Sequence, residues 1–290
     1  MPSIQIVHKM LSDKDRGELL FNGALLVFPR LRSLSAFRER VADLIYKGFG
    51  GVDPLTAQDS LTLEDLEKIL GTIRQTVEYD DVVRRHALAA LSETGVVLED
   101  TYWEKVNLRM LPSGAEHAAR GTGWHRDTWG SNLNAQTNWW TPIFPVTAGR
   151  TISFAPGYWG RPVANSSSSW SPAAVRKQTE PLIPVPKEPL SEIVELPAVI
   201  EPGDLLCFSG AQLNRSTPNT TGLARFSIEI RTVNSTDVQL GYGAANIDAQ
   251  TPDKHYRWFK HVNDGRALQA PTTPPQRTIN LRPNCYGRAS

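Results

Sequence analysis

The sequence predicts a mainly β protein with a helix-rich N-terminal third. Three observations carry this. Apolar residues at helical spacing are confined to the first hundred residues. After Val96 they give way to short alternating segments that stop at Pro or Gly. Turn residues separate those segments at intervals of about eight to twelve residues, the rhythm of a β barrel or sandwich.

Taken in order, residues 17–30 (Gly17-Glu18-Leu19-Leu20 to Val27-Phe28-Pro29) read as a short apolar strand closed by proline. From Leu34 to Phe49, Phe37, Val41, Leu44 and Ile45 fall on one helical face, with Gly48 as the expected stop. A second helix is expected from Thr62 and a third over about 81–91. Strands are expected at 102–112, 138–143, 151–154, 205–208 and 225–231, the last alternating cleanly as Arg225-Phe226-Ser227-Ile228-Glu229-Ile230-Arg231. Residues 160–200, with four consecutive serines at 166–169 and many prolines, read as a long, mostly irregular surface excursion. The last forty residues are expected to wrap the surface, His255 and His261 among them. We read residues 1–290 as one domain: a helix-rich part over 1–98, a β core over 99–235 with the insertion at 160–200, and a C-terminal wrap over 236–290.

Of the 290 residues 40% are hydrophobic, and the formal net charge is +1. Such a balance offers no basic surface for nucleic acid. No apolar run approaches membrane-spanning length, so no membrane association is expected. The first residues lack the charged and apolar blocks of a signal peptide, and two cysteines, Cys207 and Cys285, make no disulfide framework. A reducing cytoplasm is the expected location.

The stretch with chemical content is Gly121-Thr122-Gly123-Trp124-His125-Arg126-Asp127-Thr128-Trp129. On an extended backbone, side chains two apart share a face, so His125 and Asp127 project together. An imidazole and a carboxylate so placed form two-thirds of a facial metal triad, which leaves positions open for O2 and an organic cosubstrate.

Two further segments follow it in order. One is Val146-Thr147-Ala148-Gly149-Arg150-Thr151 to Ala155-Pro156-Gly157. The other is Gly203-Asp204-Leu205-Leu206-Cys207-Phe208, then Pro218-Asn219-Thr220-Thr221-Gly222, then Arg225-Phe226-Ser227-Ile228. Together the three segments resemble the phytanoyl-CoA dioxygenase-like branch of the Fe(II)/2-oxoglutarate-dependent oxygenases, over roughly residues 100–235. The resemblance implies a double-stranded β-helix, that is, a cupin-type jelly roll. It implies Fe(II) and 2-oxoglutarate as cofactors, O2 and a small organic molecule as substrates, and oxidation of an aliphatic C–H. His125 and Asp127 match the first two metal ligands, and Arg225 matches the arginine that clamps the far carboxylate of the keto-acid. A planar guanidinium fork suits that role because it pairs bidentately with a carboxylate.

One position departs from the pattern. Asn214 stands where the family has its second ligating histidine, and no histidine lies between His125 and His255. If that segment is extended, Gln212 and Asn214 point the same way. Three readings stay open: an amide or a water completes the triad; the chain is a variant whose natural residue is histidine; or the site has left redox chemistry for binding, isomerisation or cyclisation. A halogenase is disfavoured because Asp127 is present, and a cupin-like ligand-binding or sensory protein remains a third class. Ser216 and Ser227 are candidates to donate to the keto-acid carboxylate, and Asn107 to hold the keto-acid or the substrate. Candidate substrate contacts are Trp103, Trp129 and Trp140, drawn from five of the eight tryptophans that lie between 103 and 140. Arg109, His117, Arg120, Gln212 and Arg231 complete that set. The long Ser/Pro excursion suggests specialised metabolism. The oligomeric state is left open.

Overall fold

The computed structural model describes residues 4–114, 122–176 and 182–271. Helices dominate the first hundred residues, interrupted by two strands at the edge of a sheet. Strand β1 (Ile4–Ile6) precedes helix α1 (Asp13–Leu20), and β2 (Leu25–Phe28) leads into α2 (Arg32–Phe49), α3 (Leu63–Tyr79) and α4 (Asp81–Glu93). Residues 17–20 are therefore helical, and only 25–28 of the expected strand is extended. Ser12 caps α1 by accepting from the backbone of Asp15, a local bond that outweighs the apolar character of Leu19 and Leu20.

Helix α2 buries Leu34, Phe37, Val41, Leu44 and Ile45, the stripe read from the sequence. It ends at Gly50, whose φ of 60° is left-handed, and not at Gly48. Gly48 instead serves packing. A Cβ there would lie 2.4 Å from Cγ1 of Ile73 on α3, so the missing side chain lets the two helices approach. Thr62 caps α3 and Asp80 caps α4, and Arg40 of α2 ties back to Asp80 at 2.6 Å.

Beyond residue 100 the chain is built of strands: β3 (Thr101–Leu111), β4 (Thr137–Pro142), β5 (Ile152–Phe154), β6 (Leu196–Pro197), β7 (Leu205–Ser209), β8 (Asn214–Ser216), β9 (Arg225–Asn234) and β10 (Lys260–His261). Among the described residues they form a seven-stranded mixed sheet, β1-β2-β7-β4-β9-β3-β10, and a three-stranded sheet, β6-β5-β8. Only the β1–β2 pair is parallel.

Period-two alternation sorts the strand side chains between two layers. Leu26 and Phe28 of β2, Trp139 of β4, Cys207 of β7 and Phe226, Ile228 and Ile230 of β9 join the core beneath α2–α4. Their neighbours Leu25, Val27, Trp140, Leu206 and Phe208 face the small sheet and pack on Ile152 and Phe154. Each of these buried side chains contributes about 1.5–3 kcal/mol. On β9 the residues facing the small sheet are instead Arg225, Ser227, Glu229 and Arg231, so apolar packing between the sheets gives way to a polar cavity.

The described residues of the excursion at 160–200 are mostly irregular, as expected, but they are not confined to the surface. Val163, Asn165, Ser167, Trp170, Ala198 and Ile200 are buried. Asn165 donates to the carbonyls of Val163 and Asp248, which fastens the excursion to the segment after β9. His261 is also buried, contrary to expectation, because β10 pairs with the edge of β3 and brings its ring against Tyr102. No helix among the described residues is long and apolar enough to cross a membrane.

Candidate functional site

The cavity opens where the polar half of β9 meets β3, β4 and β8. Its volume is about 110 Å³, whereas roughly 10–15 Å³ suffices for one water. His125, Asp127 and Asn214 line it together with Arg109, Ser216, Arg225, Ser227, Glu229, Arg231 and Trp140.

His125 reaches this place through a two-way backbone bridge. Its N–H donates to the Asn214 carbonyl and the Asn214 N–H donates to its carbonyl, both at 2.9 Å. The extended backbone ends there. Asp127 has φ −62° and ψ −31° and opens the short helix α5 (Thr128–Ser131), so a bridge followed by a turn, and not a continuous strand, brings imidazole and carboxylate together. Nε2 of His125 lies 4.0 Å from Oδ2 of Asp127. Nδ1 of His125 donates to the Gly123 carbonyl at 2.7 Å. A carbonyl can only accept, so Nε2 carries the free lone pair.

Between these two residues Arg126 points the other way. Its Nε meets Asp248 at 3.0 Å and its Nη atoms donate to the carbonyls of Ala211, Tyr158 and Arg161. Trp129 donates to the same Asp248 at 2.7 Å. This buried knot holds the turn that carries His125 and Asp127.

Asp127 is surrounded by donors. Nη2 of Arg231 lies 2.8 Å from its Oδ1, and Nδ2 of Asn138 donates to its Oδ2 at 2.7 Å. Gln136 in turn donates to Asn138 at 2.8 Å. Arg231 also contacts Glu229 at 2.8 Å and Glu104 at 3.2 Å, and Arg109 approaches Glu229 at 3.4 Å. Burial alone would raise the Glu229 carboxyl, but Arg231 and Arg109 hold it down at about 2. Burial likewise disfavours charge on Arg231, yet Glu229, Asp127 and Glu104 raise its pKa above the ordinary value.

Arg225 is different. It is 4% exposed and donates to the Thr151 carbonyl at 2.7 Å and to Ser216 Oγ at 3.2 Å. Among the described residues it forms no ion pair, and its buried Nε and the buried Oγ of Ser227 have no partner. Burial, with Arg109 nearby, pushes its pKa down to about 10 against the pull of Glu229.

Asn214 reaches the pair, but with its amide nitrogen foremost. Nδ2 lies 3.1 Å from the Gln212 carbonyl and 3.4 Å from both the His125 carbonyl and Asp127 Oδ2.

Several expected contacts lie elsewhere. Gln212 sits in a turn rather than a strand and donates to the Gly23 carbonyl at 2.7 Å, outside the cavity. Trp103 turns into the helix-facing core because the β3–β9 register shifts between Trp103 and Val106, and Arg84 covers its ring. Trp129 packs with Ala155, Tyr158 and Leu213. Asn107 stands opposite Glu229 in the register but does not line the cavity; Arg109 and Glu229 fill that corner. His117 and Arg120 lie outside the described residues. Sequence reasoning passed over Asn138, Glu229, Arg74 and Glu67, all in the cavity lining. Alternation from Arg225 would have found Glu229, and alternation from Trp140 would have found Asn138. Nothing local marks Arg74 and Glu67, which α3 delivers across the interface.

No protein-family model matches this sequence, and no curated protein matches it. Among solved structures, EvdO2 from Micromonospora carbonacea var. aurantiaca complexed with 2-oxoglutarate is 13% identical, with 79% of this chain and 93% of that chain covered and a TM-score of 0.49. The epimerase SnoN in complex with Fe3+, alpha ketoglutarate and nogalamycin RO is 12% identical, covering 83% and 95%, with a TM-score of 0.44. The non-heme monooxygenase ThoJ, in its apo form, is 15% identical, covering 76% and 78%, with a TM-score of 0.42. At such identities and scores the likenesses decide neither family nor chemistry.

Proposed function

We propose that this chain is a non-haem Fe(II)- and 2-oxoglutarate-dependent oxygenase of the phytanoyl-CoA dioxygenase-like kind, built as a double-stranded β-helix. Its reaction, on this reading, is oxidation of an aliphatic C–H of a small organic molecule. The observation that carries the reading is Arg225. A buried guanidinium with no ion pair among the described residues is costly, and this one shares its cavity with a buried imidazole–carboxylate pair.

The residues present fit the two groups. The unpartnered Arg225 Nε and Ser227 Oγ are donors without an acceptor, which the far carboxylate of a keto-diacid would supply. The free Nε2 of His125 and the adjacent carboxylate of Asp127 are a nitrogen and an oxygen donor suited to Fe(II). When bound, the iron and keto-acid would supply O2 activation, with the keto-acid ending as succinate and CO2.

The chain's own part is positional. Arg225, Ser216 and Ser227 hold the diacid. Gly123 fixes the tautomer of His125, and Arg231 and Asn138 orient the Asp127 carboxylate, so neither ligand has to reorganise. Trp140, Phe208, Ile152 and Ile183 supply apolar lining and help exclude water from the reacting centre.

Anaerobic Fe(II) and 2-oxoglutarate should give a weak visible charge-transfer band, and succinate should form once air and substrate are admitted. If iron-loaded protein shows neither, the oxygenase reading fails. A non-oxidative relative, acting by binding, isomerisation or cyclisation, is the second reading. The amide nitrogen of Asn214 facing Asp127 favours it, and substrate conversion without O2 or succinate would establish it.

A further inference from the structure

The backbone bridge between His125 and Asn214 puts position 214 beside the imidazole, where a third side chain would meet a metal held by His125 and Asp127. The end of the Asn214 amide turned toward them is surrounded by three oxygens: the Gln212 carbonyl, the His125 carbonyl and Asp127 Oδ2. An amide oxygen there would set lone pairs against lone pairs, so the network itself requires the nitrogen. An amide nitrogen is a donor of hydrogen bonds and offers no lone pair to a cation.

We infer that Asn214 is not a metal ligand but a hydrogen-bond donor to Asp127, and that the described residues offer a divalent metal at this site two side chains only. The position an imidazole at 214 would occupy is then filled from solution, by water or by a small neutral nitrogen ligand. This inference rests on the metal reading above. The collar on Asp127 is consistent with it: Arg231 takes Oδ1, while Asn138 and Asn214 both donate to Oδ2. Asn214 thereby belongs with the groups that orient the carboxylate, not with those that bind the ion.

Mn(II) affinity of the full metal-free chain, read from the free-ion electron paramagnetic resonance signal without 2-oxoglutarate, tests this. Asn214→Ala should bind Mn(II) within threefold of the unsubstituted chain, and Asn214→His should bind it at least tenfold more tightly. His125→Ala should weaken it more than tenfold. On the Co(II)-loaded protein, millimolar imidazole should shift the visible spectrum of the unsubstituted chain and of Asn214→Ala, but not of Asn214→His. Loss of affinity in Asn214→Ala as large as in His125→Ala would overturn the inference by making Asn214 a ligand. Unchanged affinity in Asn214→His would also overturn it, because no coordination position would then face residue 214. No effect of His125→Ala would instead remove the metal reading itself, and this inference with it.

Discussion

Replacing Arg225 by Met should abolish binding of the diacid while leaving the ligand-free protein nearly as stable as before. Its pKa falls from 12.5 to about 10 chiefly through burial, which at 1.36 kcal/mol per unit puts the cost of keeping it charged at about 3 kcal/mol. The two hydrogen bonds it makes, to Thr151 and Ser216, return roughly 1–3 kcal/mol apiece if their acceptors are left unsatisfied. These terms nearly cancel, so the melting temperature of ligand-free Arg225→Met should stay within about 3 °C of the unsubstituted chain. Binding has no such cancellation. Losing a buried, hydrogen-bonded charge partner costs about 2–5 kcal/mol, a weakening of roughly thirtyfold to several thousandfold in Kd for 2-oxoglutarate. Arg225→Lys keeps the charge but loses the fork, and should fall between the two. Calorimetric titration with 2-oxoglutarate in the presence of Mn(II), with O2 excluded, measures this directly. Ligand at 100 times its Kd should also stabilise the unsubstituted chain by about 2.7 kcal/mol and Arg225→Met not at all. If Arg225→Met binds 2-oxoglutarate within threefold of the unsubstituted chain, the diacid is held elsewhere and the reasoning fails.

Glu229→Gln should destabilise the fold by about 1–3 kcal/mol at neutral pH, because it breaks a partly buried, hydrogen-bonded pair with Arg231. Glu229 has its pKa depressed to about 2, so its contribution is present above about 4.5 and is lost as pH falls toward 2; urea unfolding across that window should show the two proteins converge. Asp237 has the opposite sign: burial and Asp13 raise its pKa to about 6. Its ionisation therefore penalises folding as pH rises through 6, and Asp237→Asn should stabilise by about 2 kcal/mol at pH 8, after allowance for its partial exposure. Thermal melts should show that advantage vanish near pH 4. Gly48→Ala places a Cβ 2.4 Å from Ile73, an overpacking cost of about 1–3 kcal/mol against about 1 kcal/mol of helix propensity gained. The single variant should melt lower, and Ile73→Ala in the same chain should relieve part of the loss.

Local patterns announce the helices and strands because each rests on a short-range cause. The stripe from Phe37 to Ile45, the Thr62 cap and the Arg225–Arg231 alternation all involve residues a few positions apart. Of the candidate site residues, His125 and Asp127 were legible because they lie within one turn of chain, whereas Arg225 was singled out by the family motif that the sequence resembles. Residues 17–20 depart from the expected strand through a local cap at Ser12, but at three other places a distant partner is responsible. Gly48 is spared its stop role by Ile73, Gln212 is drawn away by the Gly23 carbonyl, and Trp103 is turned by a register shift against β9.

By itself, then, the amino-acid order determined the larger helices and the main strands, and, with the family motifs it resembles, that one imidazole, one carboxylate and one guanidinium are candidates for shared chemistry. Only the tertiary structure decided that they line one cavity, that Arg225 forms no ion pair among the described residues, and that Asn214 turns its nitrogen toward Asp127. Those facts depend on which oxygens and cations meet across strands up to about a hundred residues apart, and hydrogen-bond geometry and burial are properties of that meeting.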